Sequence, residues 1–172
     1  MTAVAEANLD QSVGVAEIVR RIPHRYPILL LDRVLEVAAG YRLTAQKAVT
    51  VAEPCYRAAG TATSEWAYPV ALLIESLAQA AVLLAVWEQP NPDVLAGQVE
   101  LAGGMREVRM HRPVYPGDVL EHRVELVRSI GDTAILAGRT TVAGQPVLDV
   151  GHFVLALRDV ETLRTPAPTR LV

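Results

Sequence analysis

The longest apolar run in the chain follows Pro69 and continues to Trp87. Its apolar residues fall on every side of a helix, whereas a solvent-facing helix is apolar on one face only. The pattern therefore predicts a buried central helix that starts at about Val70, with Pro69 at its entrance. Pro90 and Pro92 follow the run, and a helix does not easily continue across such residues.

A short helix and a series of strands are predicted around this segment. Residues 15–22 have helical spacing and stop before Pro23, because the residue preceding a proline disfavours helix. An apolar run after Pro27 leads into one strand, and residues 41–51 alternate as in a second strand, with Lys47 as the exception. Turn signals, including Gly103-Gly104, separate five further predicted strands: 94–101, 105–111, 119–130, 133–142 and 147–157.

This order of elements is typical of an α+β fold in which one curved antiparallel sheet wraps around the long helix. We expect a flexible arm over residues 1–14, a single domain over 15–158 and a flexible tail over 159–172. The edges of such a sheet commonly pair with a second subunit, although the sequence alone does not set the oligomeric state.

Composition limits the classes of function and location. The 172 residues are 51% hydrophobic and carry a net charge of −3, which gives no footprint for nucleic-acid binding. Cys55 is the single cysteine, and the N-terminus lacks the features of a signal peptide, so we expect a cytoplasmic protein. A membrane span over 70–87 is disfavoured, because Glu75 near its middle would cost about 2.5–3.5 kcal/mol and no Lys or Arg flanks the run closely.

Candidate chemistry lies inside the apolar run. Glu75 and Gln79 are four residues apart and therefore share one helical face. A carboxylate in such surroundings requires either a hydrogen-bonding partner or a chemical role, and the sequence leaves both alternatives open.

Four blocks of sequence together resemble a known family. They are IPHRYPILLLDRVLEV at 22–37, EP at 53–54, LLIESLAQA at 72–80 and RPVYPGDVL at 112–120. In this order and spacing they resemble the FabZ-type β-hydroxyacyl-(acyl-carrier-protein) dehydratases, and the resemblance spans roughly residues 15–158. It implies the hot-dog fold, a helix wrapped by an antiparallel sheet and typically paired into dimers.

The resemblance also implies a substrate and a reaction. The substrate is a 3-hydroxyacyl thioester on acyl carrier protein, and the reaction is reversible loss of water to give the trans-2-enoyl thioester, without cofactor or metal. In the family, a histidine in a Gly-His-Phe-Pro-Gly loop takes the proton from C2. The helix glutamate of the other subunit acts as the acid for the C3 hydroxyl, and backbone N–H groups at the helix start polarise the thioester carbonyl.

The family's site residues transfer only in part. Glu75 falls on the helix carboxylate, as the predicted acid, and Gln79 on the glutamine one turn later, which we expect to orient it. Gly60 matches the glycine of the histidine loop, but Thr61 stands in the histidine position, or Ala59 when the count starts from Glu53.

The predicted substrate-binding residues lie around this loop and the helix start: Gly60, Thr61, Tyr68 and Val70. Val70 replaces a family glycine at the helix entrance. Tyr56 and Trp66 could line an acyl tunnel with Tyr68, but aromatic residues beside a buried helix usually pack.

The chain's four histidines do not supply the missing group in an obvious way. His24 belongs to the PHRYP motif, where the resemblance implies a structural histidine. His111 and His122 are expected to be solvated or packed. Gly151-His152-Phe153 repeats family letters, but it falls in the last predicted strand, after Glu75 instead of before it.

An acidic carrier protein is the expected partner. Strand arginines could contact it, although a solvated face is the commoner role of such residues: Arg106, Arg109 and Arg112.

Three functional hypotheses follow. The first is a dehydratase-like subunit that contributes Glu75 and pairs with a histidine-bearing paralogue, although a homodimer is also open. The second is a stand-alone hot-dog enzyme with rearranged groups, acting as a dehydratase, isomerase or thioesterase. The third is a non-catalytic acyl-binding or scaffold protein. We favour the first, because a purely structural descendant has little need for a carboxylate in an apolar helix.

Overall fold

A computed structural model describes residues 12–93 and 97–163 of the chain. Its helices are α1 (Val15–Arg21), α2 (Val70–Ala85) and α3 (Val160–Leu163), with 3-10 turns at Pro54–Tyr56 and Thr63–Trp66. Its strands are β1 (Val13–Gly14), β2 (Arg33–Ala38), β3 (Arg42–Ala48), β4 (Gln98–Met110), β5 (Val119–Ile130), β6 (Thr133–Val142) and β7 (Gln145–Asp159).

The seven strands form one antiparallel sheet in the order β1-β2-β3-β5-β6-β7-β4. The predicted arm and tail lie mainly outside the described residues. Within them, β1 pairs with β2 and α3 follows β7. The α+β class and the antiparallel sheet around a long helix are confirmed.

Helix α2 packs into the concave face of this sheet. Leu73, Leu77 and Leu83 are almost completely buried there and belong to one core with residues from β2, β3, β5, β6 and β7. Gly138 of β6 lies so close to the helix that an added Cβ would be 2.9 Å from Leu77 Cδ1. The sheet can therefore approach the helix at this point only without a side chain on β6.

The Thr63–Ala85 segment is long and apolar enough to cross a membrane by length and composition, with a mean hydropathy of 1.7. Its α-helical part, α2, has 16 residues and is packed inside the sheet. The core helix of a compact domain satisfies the same criteria, and the packing observed here identifies α2 as such a helix.

The predicted turn at Gly103-Gly104 is wrong. Strand β4 runs through both glycines for 13 residues, and its pairing with β7 shifts register between Ala102 and Gly104. Gly104 has a φ of +146°, and a Cβ at Gly103 would be 3.2 Å from Val154 Cγ1. The glycines thus form a β-bulge, in which one extra residue bends the strand without ending it.

Lys47, the exception to the alternation of β3, points inward. Its Nζ lies 2.9 Å from Glu53 Oε1, and the two side chains are only 6% and 11% exposed. This ion pair joins β3 to the start of the segment that precedes α2. Because the buried ammonium has an oppositely charged partner, a lysine can occupy a position where the alternation of β3 predicts an apolar residue.

Candidate active site

Glu75 lies on the part of α2 that the sheet leaves open, with its side chain 35% exposed. Its Oε1 atom accepts a hydrogen bond from Gln79 Nε2 at 2.8 Å and lies 3.5 Å from His24 Nε2. All three residues belong to the same chain. The helical spacing predicts that Glu75 and Gln79 lie together, and the structure adds His24.

Gln79 links the helix to the segment that precedes β2. Its side chain is fully buried, its Oε1 accepts from the backbone N–H of Leu30 at 2.9 Å, and its Nε2 also donates to the Ile28 carbonyl at 2.7 Å. The amide therefore has partners on two sides and a fixed orientation. This arrangement gives Gln79 a physical means of orienting Glu75, and the catalytic consequence stays a prediction.

His24 is expected from the sequence to be structural, and the structure places it at the carboxylate. Arg25 holds the segment by donating from Nη1 to the carbonyls of Ile22 and His24, both at 2.8 Å. His24 Nδ1 is buried and has no hydrogen-bond partner among the residues that the structure describes. Local sequence patterns could not reveal the contact with Glu75, because the two residues are far apart in the chain.

These contacts favour the ionised carboxylate. The hydrogen bond with His24 is the largest influence lowering the pKa of Glu75, and Gln79 and the electrostatic effect of His24 lower it further. Partial burial acts in the opposite direction and raises the pKa. The net result is a pKa below the usual value for a glutamate.

The loop at residues 60–66, where the resemblance places a histidine, is held together by hydrogen bonds between its own residues. Trp66 Nε1 donates to the Gly60 carbonyl at 3.0 Å, and Glu65 Oε2 accepts from the Ala62 N–H at 2.9 Å. Thr61 is exposed at the tip. A Cβ at Gly60 would be 3.1 Å from the Glu65 carboxylate, so a glycine suits this close approach.

The aromatic residues before α2 pack together. Tyr56 and Tyr68 are 5% and 4% exposed, and the ring of Tyr56 lies 5.4 Å from that of Trp66. Burial raises the pKa of Tyr56 to about 12 and also raises the pKa of Tyr68. Lys47 Nζ lies 5.5 Å from the Tyr68 ring. Tyr68 is therefore a packed residue in this structure, and its predicted contact with substrate remains a proposal.

Val70 occupies the first turn of α2 and is 46% exposed. The N–H groups of Leu72 and Leu73 both donate to the Pro69 carbonyl at 3.0 Å. The amides before them lie at the start of the helix, where no intrahelical acceptor exists. This end of the helix can therefore offer backbone donors to an oxygen atom.

A small apolar crevice lies between α2 and the sheet. Ile74 and Ala78 line it from the helix, and Met105 and Phe153 line it from β4 and β7. Its volume is only about 10 Å³, so the apolar side chains here are nearly in contact.

The other three histidines have separate surroundings. His122 is fully buried, its Nδ1 lies 2.9 Å from Thr140 Oγ1, and burial lowers its pKa to about 3. His111 contacts Asp149 at 2.8 Å, and the exposed His152 lies 3.8 Å from Glu107. The packed role expected for His122 is thus observed.

Metal ligands and the strand arginines are the remaining candidate groups. Within residues 12–93 and 97–163 no cluster of His, Cys, Asp or Glu has a geometry that could hold a metal ion. Of the three arginines considered as contacts for a carrier protein, Arg106 and Arg109 are exposed and Arg112 is partly buried.

Comparisons with known proteins agree on a family. The family model of the FabA-like domain matches residues 22–151. A 3-hydroxyacyl-[acyl-carrier-protein] dehydratase FabZ from Myxococcus xanthus is 37% identical over 147 residues, which cover 86% of this chain and 93% of that protein. The FabZ of Anaeromyxobacter dehalogenans is 39% identical, with 87% and 91% of the two chains covered.

Solved structures with lower identity share the fold. One is the dehydratase heterocomplex ApeI:P from Xenorhabdus doucetiae, with a TM-score of 0.69 and 19% identity, covering 85% of this chain and 93% of that one. Another is a hot-dog-like protein from Thermanaerovibrio acidaminovorans, with a TM-score of 0.56, 21% identity and coverage of 73% and 86%. The predicted hot-dog fold is thereby confirmed. From the extent of these matches, the chain belongs to the FabA-like family and is related to the FabZ dehydratases.

Proposed function

We propose that this chain is a dehydratase-type subunit that acts on 3-hydroxyacyl thioesters of acyl carrier protein, in cytoplasmic fatty-acid or polyketide biosynthesis. The observation that carries the proposal is the fixed carboxylate of Glu75. It is partly exposed, hydrogen-bonded to Gln79 and carried by the buried central helix. This is the arrangement that proton transfer next to an acyl chain requires.

The reaction would join groups already present at one end of α2. Loss of water breaks the C2–H and C3–O bonds, and the electron pair from C2–H forms the C2=C3 double bond. The departing oxygen takes a proton and leaves as water. We infer that amides near Val70 donate to the thioester oxygen while negative charge develops on it.

A second acid–base group is needed, and the loop lacks it. Thr61 carries a hydroxyl with a far higher pKa than an imidazole, so it is a poor proton-transfer group at neutral pH. We therefore propose that a histidine-bearing paralogue pairs with this chain and completes the site. Strand β4 is an edge strand of the sheet and can therefore pair with a second subunit. Its apolar residues Leu101, Met105 and Val108 are 38–45% exposed.

Two other functions remain as outcomes of the test. A stand-alone enzyme is favoured by one observation, the contact between His24 and Glu75 within a single chain. A silent acyl-binding or scaffold protein would bind acyl carrier protein or an acyl group without turnover.

The test begins with co-purification from the native host and identification of the bound chain. The pair and the chain alone are then assayed for dehydration of 3-hydroxyacyl carrier protein. We expect activity in the pair, strong loss on Glu75→Gln and little change on Glu121→Gln, a matched substitution of an exposed glutamate on β5, away from the proposed pairing edge. Full activity of the pair with Glu75→Gln would refute the proposed role of Glu75, and activity of the pure chain alone would support the stand-alone enzyme.

A further inference from the structure

A groove of about 710 Å³ crosses β4, β5, β6 and β7 on the outer face of the sheet. On β5 the side chains of His122 and Val124 are buried. Those of Arg123 and Glu125 alternate with them and therefore point away from α2. The groove lies apart from the candidate active site, and no step of the proposed dehydration uses it.

The strand register aligns four charged residues in one row across this groove. Arg109 of β4 is paired with Asp149 of β7, and Asp149 is paired on its other side with Arg139 of β6. Arg139 is in turn paired with Arg123 of β5. Arg139 Nε donates to Asp149 Oδ1 at 2.7 Å. This arginine row thus carries three guanidinium groups and one carboxylate.

A second row lies two residues away along the strands, on the same face. Glu125 of β5 is paired with Ala137 of β6. The Glu107 side chain of β4 lies across Gly151 of β7, where an added Cβ would be 2.9 Å from Glu107 Cβ. All four residues line the groove. This glutamate row has a carboxylate at each end and two small residues between them.

Two features of these rows are unfavourable in a single chain. Arg123 and Arg139 are directly opposite each other, and like charges in that position destabilise a sheet. Glu107 has a φ of +56°, a conformation that residues other than glycine rarely adopt. Backbone strain of this kind clusters at sites of binding and catalysis, so both features favour a binding role for this face.

We propose that the groove is the contact surface for a second copy of this chain. A two-fold axis that runs across the strands, midway between the rows, places the arginine row of one copy over the glutamate row of the other. Arg123 then faces Glu125 of the second copy, and Arg109 faces Glu107 of the second copy. Arg123 Nε also lies 3.1 Å from Glu125 Oε1 of its own chain. Two arginines and two glutamates thus form one network of alternating charge at that end.

The centre of the groove fits the same axis by shape. Arg139, whose side chain is 65% exposed, projects from the arginine row together with Asp149. The axis places this ion pair over Ala137 and Gly151 of the second copy, where the side chains are small or absent. Two sheets commonly pack face to face with their strands nearly aligned. The carboxylate of the second copy also offsets the repulsion between Arg123 and Arg139, and such charges set the orientation of an interface.

This contact does not depend on the proposed function. A paralogue that pairs with the edge of β4 would use backbone groups and leave the outer face of the sheet uncovered. Two such pairs would then join through the outer faces, with the candidate active sites on the opposite side of each sheet.

The first experiment measures the mass of the chain, and of its co-purified pair, by sedimentation at increasing protein concentration. We expect a step that doubles the mass at low salt and is lost at high salt, because the Debye length falls from about 30 Å at 0.01 M to about 3 Å at 1 M. Arg123→Glu should abolish this step, since it places a carboxylate over Glu125 of the second copy. Combining Arg123→Glu with Glu125→Arg should restore it. Arg57→Glu, a matched charge reversal at an exposed position outside the groove, should change nothing.

A second experiment tests which residues meet. Lys47 is the only lysine in the sequence and is nearly buried, so Arg123→Lys introduces an exposed side-chain amine. A carbodiimide joins amines directly to carboxylates and should link this amine to Glu125 of the second copy. A mixture of isotope-labelled and unlabelled chains separates links between copies from links within one chain. Adding Glu125→Gln should remove the link, and the unsubstituted chain is the blank.

Thermal unfolding verifies that each variant is folded. Glu107→Arg reverses the charge at the other end of the groove, opposite Arg109 of the second copy, and should also abolish the doubling if Arg123→Glu does not fold. Assembly that survives these reversals would overturn the inference, as would a chain and a pair that never double in mass, or links confined to one chain. Carrier protein that binds the unsubstituted chain but not Arg123→Glu, without any change in the mass of the free chain, would instead identify an acidic partner as the occupant and overturn the inference.

Discussion

Gln79 and Glu75 are joined by a 2.8 Å hydrogen bond, and the same Gln79 amide bonds the backbone of the segment that carries His24. One buried side chain thus holds the carboxylate and ties α2 to the segment that follows His24. The orientation of the candidate site and the stability of the fold depend on the same residue.

Gln79→Leu should therefore destabilise the protein as well as disturb the site. The leucine would leave the buried Leu30 N–H without its partner, which costs about 1–3 kcal/mol. It would also remove the hydrogen bond to the partly buried Ile28 carbonyl. Denaturant unfolding measures the effect. Gln89→Leu, at an exposed position after α2, is the control and should change the free energy of unfolding by less than about 0.5 kcal/mol. Equal stability of the two variants would contradict the role given to Gln79.

Gly138→Ala tests the close approach of β6 to the central helix. The new Cβ would be 2.9 Å from Leu77 Cδ1, and overpacking of this kind typically costs about 1–3 kcal/mol. Thermal unfolding of Gly14→Ala provides the comparison, because a Cβ there meets nothing within 4 Å. The double variant Leu77→Ala/Gly138→Ala should lose less stability than the sum of the losses in the two single variants, since the shorter side chain at position 77 makes room for the new Cβ. Simple additivity would show that the two residues do not compete for space.

Glu53→Gln should destabilise the protein far more than a change in a surface ion pair. It leaves the Lys47 ammonium nearly buried without an opposite charge, and breaking a buried pair from one side costs about 3–5 kcal/mol. Glu125→Gln breaks the exposed pair with Arg123 and should cost about 0–1 kcal/mol. The difference between the two variants is tested by measuring their free energies of unfolding in urea at neutral pH. Similar values for the two variants would mean that water screens the Lys47 pair.

His122 should make stability depend on pH. Its pKa is about 3 in the folded protein, below the usual 6.5, so the unfolded chain binds the proton more readily. Its contribution is complete above pH 6.5 and is lost as the pH falls towards 3, by about 1.4 kcal/mol per pH unit. His122→Gln should flatten this part of the profile, and the His122 ring signals in NMR should not titrate between pH 7 and 5. A normal titration of that ring would contradict the prediction.

Much of the fold follows from strong local signals. Pro69 and the apolar run place the start of α2, and Gly131 in the turn separates β5 from β6 at the predicted residues. The turn prediction at Gly103-Gly104 is wrong because a pair of glycines is compatible with a β-bulge as well as with a turn. Only the pairing of β4 with β7 distinguishes these alternatives.

The candidate site is less predictable. The helical spacing of Glu75 and Gln79 brings them together, because neighbours on one helical face are visible in the sequence. The inward position of Lys47 is accompanied by its ion pair with Glu53, and His24 reaches Glu75 from a segment far from it in the chain. Such contacts between distant segments depend on packing, which periodicity does not encode.

The open edge of β4 has a consequence for how the protein must be produced. A 13-residue strand at the end of the sheet, with apolar side chains partly uncovered, is a template for pairing with any available strand. With the proposed paralogue covering this edge, a cell that makes more of this chain than of that paralogue would accumulate chains prone to self-association. We therefore expect matched synthesis of the two subunits to favour soluble protein, and overexpression of this chain alone to favour aggregates.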